Sequence, residues 1–200
     1  AAARDTPPLP AVLNIMTRPR ALVSGTLLFM SALAFGLFLG KFSTYIQTAF
    51  GAEWIWVSVW LFPATQMVMS AVGGHLTDRI GPAPVLFSSF AAGALGLLVT
   101  VAWHHPGAVV VTALTLGLLG STVPIVASAL IGDAADRKRR PLAYGVIFAW
   151  RDLGVVTASL GANVLGLKFD FQAVFVVFMY VFAGCALMSL ILRRLARESL

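Results

Sequence analysis

Six apolar runs, at about 21–48, 54–76, 84–103, 107–131, 142–166 and 173–192, occupy most of this 200-residue chain. Each is long enough to cross a hydrocarbon core ~30 Å thick as a helix, which needs roughly 20 residues. Lipid offers no partners for backbone amides, so a spanning chain must be helical or close into a barrel. No strand-like alternation of apolar and polar residues runs through the segments, so they read as helices rather than barrel strands. The expected fold is therefore all-α and integral to the membrane, a six-transmembrane-helix bundle. The connections at 51–53, 104–107 and 167–172 are short, which implies antiparallel neighbours in a compact bundle. Composition agrees: 11% of residues are charged, against about 25% in a soluble domain.

The net charge of +6 raises the question of a nucleic-acid partner. Its distribution answers no. With the N-terminus placed in the cytoplasm, eleven of the 14 Lys and Arg residues fall on the inner side: Arg4, Arg18, Arg20, Arg79, Arg137, Lys138, Arg139, Arg140, Arg193, Arg194 and Arg197. Only Lys41 and Lys168 fall at the outer side, and Arg151 lies within a run. That asymmetry is the positive-inside rule, so the basicity is topological. Both termini are expected in the cytoplasm, with the plasma or bacterial inner membrane as the site. Trp54, Trp56 and Trp103 stand near the outer ends, where amphipathic rings favour the interface. Residues 1–20 read as a Pro-rich cytoplasmic leader or linker, 21–192 as the bundle and 193–200 as a basic cytoplasmic tail. No signal-peptide pattern opens the chain and no initiator Met precedes it, so it is expected to be a piece of something longer. The single Cys185 reads as a small packing residue.

Polar residues within the runs are the candidates for function. Arg151 lies about 14 Å along the fifth run, near the middle of the bilayer, and Asp152 follows it. An unpaired charge there costs at least ~2.5–3.5 kcal/mol. Adjacent helical residues point about 100° apart, so each is expected to seek its own partner across the bundle. Substrate binding, proton coupling and a purely structural ion pair all stand open for them. Lys41 is a third candidate: a side chain snorkelling to the outer interface, a cavity cation for anionic solutes, or a partner of Glu53. Small residues recur every fourth position, at Ala32, Gly36 and Gly40 and again at Gly154, Ala158, Ala162 and Gly166. That spacing allows close helix packing, or a sliding contact. Ser and Thr are concentrated in the first and fourth runs, which are expected to line a solute pathway, whereas the sixth run is expected to face lipid. Adjacent His104 and His105 lack the helical spacing of metal ligands, so no metal is expected. No nucleophile-elbow, zinc-protease, nucleotide or dinucleotide motif occurs, so neither an enzyme nor a cofactor is expected.

The crossing between the second and third runs reads "GGHLTDRIGPAPVL". Gly74, Leu76, Asp78, Arg79 and Gly81 stand in the order of a signature of the major facilitator superfamily, which the chain resembles. Pro82 and Ala83 stand where that family usually has two basic residues. Asp133, Arg140 and Gly145 fit the spacing of a second family motif, and "WRDLG" at 150–154 resembles a stretch of the corresponding helix. Ala158-Ser159 replaces its glycine-proline element. The resemblance implies one six-helix half of a transporter, by the leader and the altered first motif the C-terminal half. It implies a small-molecule solute, surrounding lipid and a second half, in the same polypeptide or as a dimer partner. It further implies alternating access driven by an ion gradient, expected to be protons, and a latch in which Asp78 meets a helix N-terminus of the other half or, within this chain, Arg140. A membrane scaffold or assembly subunit that keeps the fold without transporting is the alternative.

Overall fold

A computed structural model describes residues 19–134 and 140–198. The leader to residue 18, the basic cluster at 135–139 and residues 199–200 lie outside the described residues. So do the side chains of 19–20, 131–134 and 191–198, and with them Asp133.

The described residues form six long helical rods and no strand. The first rod is α1 (Pro19–Leu37), a π-helical turn (Phe38–Phe42) and α2 (Ser43–Phe50). The others are α3 (Glu53–Ile80), α4 (Pro82–Ala102), α5 (Pro106–Ala134), α6 (Arg140–Lys168) and α7 (Phe171–Glu198). Five of the six are long and apolar enough to cross a membrane. The exception is α6, which carries Arg151 and Asp152 at mid-length and is diluted by glycines, Ser159 and Asn163. It packs along α1 and leaves Leu153, Val156, Leu160, Val164 and Leu167 on an exposed face.

Local chemistry sets the rod ends. Proline opens α4 and α5, where its missing N–H costs no helical bond. Asp170 caps α7 by accepting the Ala173 N–H at 2.9 Å. Gly81 alone joins α3 to α4: its φ of 85° is open to glycine, and its N–H donates to the Thr77 carbonyl at 2.9 Å. The stretch read as a crossing is thus almost wholly helix, with Asp78 and Arg79 in the last turn of α3. In the π turn the Ser43 hydroxyl donates to the Phe38 carbonyl at 2.9 Å, five residues back.

One large apolar core draws on every rod. Toward the end where α2 leads into α3, Tyr45 packs edge-on against Phe175, with centroids 5.1 Å apart. Deeper in, Phe38 of the π turn stacks on Phe62 of α3 at 4.1 Å. The Ser and Thr residues are placed differently from the expected pathway. In α5, Thr112 bonds to Thr100 (2.5 Å) and donates to the Gly96 carbonyl (2.7 Å), and Thr122 bonds to Ser89 (2.6 Å). These hydroxyls tie α5 to α4, because a buried hydroxyl without a partner is costly and the neighbouring helix supplies one. In the first rod Ser31, Thr44 and Thr48 return their hydroxyls to carbonyls of their own helix. The sixth rod is two-faced: Phe175, Phe178, Phe182, Ala186 and Ser189 are buried, while Val177, Tyr180, Leu187 and Met188 point outward.

Candidate functional site: a groove between α3, α5 and α6

Two prolines inside helices mark the site. Pro63 in α3 and Pro124 in α5 carry no N–H, so the carbonyls of Val59 and Gly120 lose their helical donors. The two helices are drawn together by glycine: a Cβ at Gly117 would stand 2.8 Å from the Phe62 carbonyl oxygen, and one at Gly120 would stand 2.7 Å from Gln66 Nε2. Side chains that follow these breaks, together with Arg151 of α6, line an open groove of about 440 Å³. Its walls are Pro63, Gln66, Met67 and Ser70 from α3, and Gly120, Ser121, Pro124 and Ile125 from α5.

The groove sits at mid-depth. Gln66 is thirteen residues into α3, Ser121 fifteen into α5 and Arg151 eleven into α6, each about 16–23 Å from a helix end. Arg151 is the only charged residue in its lining. Trp150 beside it is wedged against α1: a Cβ at Gly25 would lie 2.9 Å from its indole ring.

The remaining sequence candidates are scattered. Asp152 follows Arg151 but is not in the groove lining. Both charges are exposed, and among the described residues neither makes a hydrogen bond or ion pair. Lys41, in the π turn, runs past Gly166 of α6 so that its Nζ lies 5.5 Å from the centre of the Phe171 ring. That position is where α6 joins α7, away from the groove and from Glu53, whose carboxylate is folded back beside Gly51. Gly36 faces the Val155 carbonyl and Ala158 of α6, Gly40 faces Ser159, and Gly154 faces the Phe29 carbonyl and Ala32. Asp78 and Arg79, in the last turn of α3, are exposed, and Arg140 opens α6. Beside Gly74 and Gly145 there is open space within 4 Å of where a Cβ would stand. His104 touches Tyr45 Oη through Nδ1 at 3.4 Å, and His105 Nδ1 accepts the Gly107 N–H at 3.0 Å.

Gln66, Ser70 and Pro63 did not stand out in the sequence reading. The signal available was the pair of proline-interrupted apolar runs, since broken helices at membrane depth mark binding sites.

The family model for the Major Facilitator Superfamily matches residues 24–199. No match was found among curated proteins.

Proposed function

We propose that this chain, which belongs to the major facilitator superfamily, moves a small solute across its membrane by alternating access, with the solute held in the groove between α3, α5 and α6. The chain is a multi-pass integral membrane protein and its family is one of transporters. The observation that carries the groove is Arg151, an exposed cation at mid-depth facing Gln66, Ser121 and a proline-freed carbonyl. Such a charge in a spanning segment belongs to a water-filled cavity or a partner surface, not to lipid. Only 11% of the most apolar stretch of α3 is buried. That uncovered rod is suited to a second six-helix half, which would close the groove from the open side.

In this reading the transport is driven by an ion gradient, and Asp152 handles the proton. It is the one carboxylate at mid-length in the described helices, since Glu53 and Asp78 lie at the ends of α3. A carboxylic acid can bind and release a proton, whereas Arg151 stays charged. Asp152→Asn keeps the shape and removes that proton site. The expected result is a protein that exchanges solute down its gradient and no longer concentrates it. Normal concentrative uptake by Asp152→Asn, per unit of folded protein, overturns the coupling role.

We also place both termini in the cytoplasm, on the charge count of the connections. A cysteine introduced at position 139 is then expected to resist a membrane-impermeant maleimide added to intact cells. One introduced at position 105 is expected to react.

A further inference from the structure

We infer that the groove selects organic anions, with Arg151 clasping a carboxylate or phosphate of the solute; this rests on the groove being the solute site. Its lining has one fixed charge, the Arg151 guanidinium, and no acid. Among the described residues no carboxylate, Asp152 included, is bonded to that cation. A guanidinium presents a planar fork of donors that fits a carboxylate or phosphate through two parallel bonds. The facing groups are neutral. Gln66 donates and accepts; the Ser70 and Ser121 hydroxyls give their protons to carbonyls of their own helices and keep lone pairs that accept, and the Gly120 carbonyl, deprived of its helical donor by Pro124, accepts. The matching solute therefore carries one anionic group for Arg151 and hydroxyl or amide groups for the opposite wall. A cationic solute would meet Arg151 with like charge in a groove whose lining holds no acid to offset it. Asp152 is left outside the groove, so solute recognition and proton handling fall to different residues on one helix turn.

The test uses the full-length protein in its membranes and an arginine-selective reagent, phenylglyoxal, with the modified sites mapped by mass spectrometry. Benzoate, citrate and inorganic phosphate serve as anionic probes, benzamide and benzylamine as neutral and cationic controls. With an anion at ten to a hundred times its Kd, modification of Arg151 is expected to slow by about tenfold to a hundredfold, because only unliganded protein reacts. Exposed Arg79 is the internal reference and should react at an unchanged rate. Equal protection by benzamide or benzylamine overturns the inference. So does protection by none of the anions, or an Arg151 that never reacts and so lies against another surface. Because this readout needs no transport, its failure is separable from that of the proposed function. A chain that protects Arg151 with anions yet moves no solute sinks only the transport reading. A chain that concentrates neutral or cationic solutes, with Arg151 unprotected by anions, sinks only this one.

Discussion

Two helix interfaces in this bundle are close-packed by different means. Between α4 and α5, hydroxyls reach across: Thr100 to Thr112, Ser89 to Thr122, and Thr112 to the Gly96 carbonyl. Between residues 25–41 of the first rod and 150–166 of α6, no side-chain hydrogen bond crosses among the described residues. There, glycines at 36 and 154 let each backbone meet the other's carbonyl oxygens. The first interface is held by directional bonds, which fix register because they fail when donor and acceptor part by an ångström. The second is held by shape, through close van der Waals contact between small residues. Arg151 and Asp152 stand on the shape-held helix. Of the other two groove walls, α5 belongs to the hydrogen-bonded pair and α3 to neither pair. The groove therefore lies where a fixed pair of rods meets a pair that has no directional bond to hold it.

The comparison predicts its sharpest break at Gly36. A Cβ there would collide with the Val155 carbonyl and stand 2.7 Å from Ala158 Cβ, and neither is a flexible side-chain end. Gly36→Leu should therefore push α6 off the first rod. Overpacking of this kind costs roughly 3 kcal/mol, which for a chain of this size lowers the unfolding midpoint by about 10 °C. The same change at Gly74, where an added Cβ meets nothing within 4 Å, should cost little in this chain. Thermal unfolding in detergent, followed by tryptophan fluorescence, measures both. Equal midpoints for Gly36→Leu and Gly74→Leu would mean that shape does not hold the α1/α6 contact.

Much of this was legible in the sequence because lipid makes the pattern severe. Length and apolarity place six rods, and a four-residue spacing puts Gly36, Gly154 and Ala158 on single helical faces. Arg151 announces itself as a charge where charges are expensive. What stayed hidden depends on which face of a rod meets which neighbour. Thr112 and Ser121 read alike, yet Thr112 is spent on α4 while Ser121 lines the groove. Gln66 is one polar residue in a rod with no strong polar face, and only its approach to Gly120 gives it a place. Lys41 reads as snorkel, cavity cation or ion-pair partner; its path past Gly166 to Phe171 sets it where α6 joins α7, away from the groove. The single-residue turn at Gly81 was masked by polar Thr77, Asp78 and Arg79, which resemble a loop but complete α3.

A smaller effect tests the hydrogen-bonded interface. Thr112→Val keeps the shape and removes the hydroxyl that meets Thr100 and Gly96. The Gly96 carbonyl keeps its helical donor, so the main loss is the partner of the Thr100 hydroxyl. Hydrogen bonds between membrane helices contribute about 0.6 kcal/mol on average and up to about 1.7, well below the cost at Gly36. Thr100→Val should cost less, because Thr112 donates to the Gly96 carbonyl, accepts from Thr100, and keeps its own donor bond when Thr100 is removed. The double variant leaves no hydroxyl stranded, so its loss should be less than the sum of the two single losses. That shortfall, obtained from the four unfolding midpoints, is the coupling energy of the pair. Strictly additive losses would mean that the two threonines stabilise α4 and α5 independently. The contrast between a bonded and a shape-held interface would then fail at its bonded end.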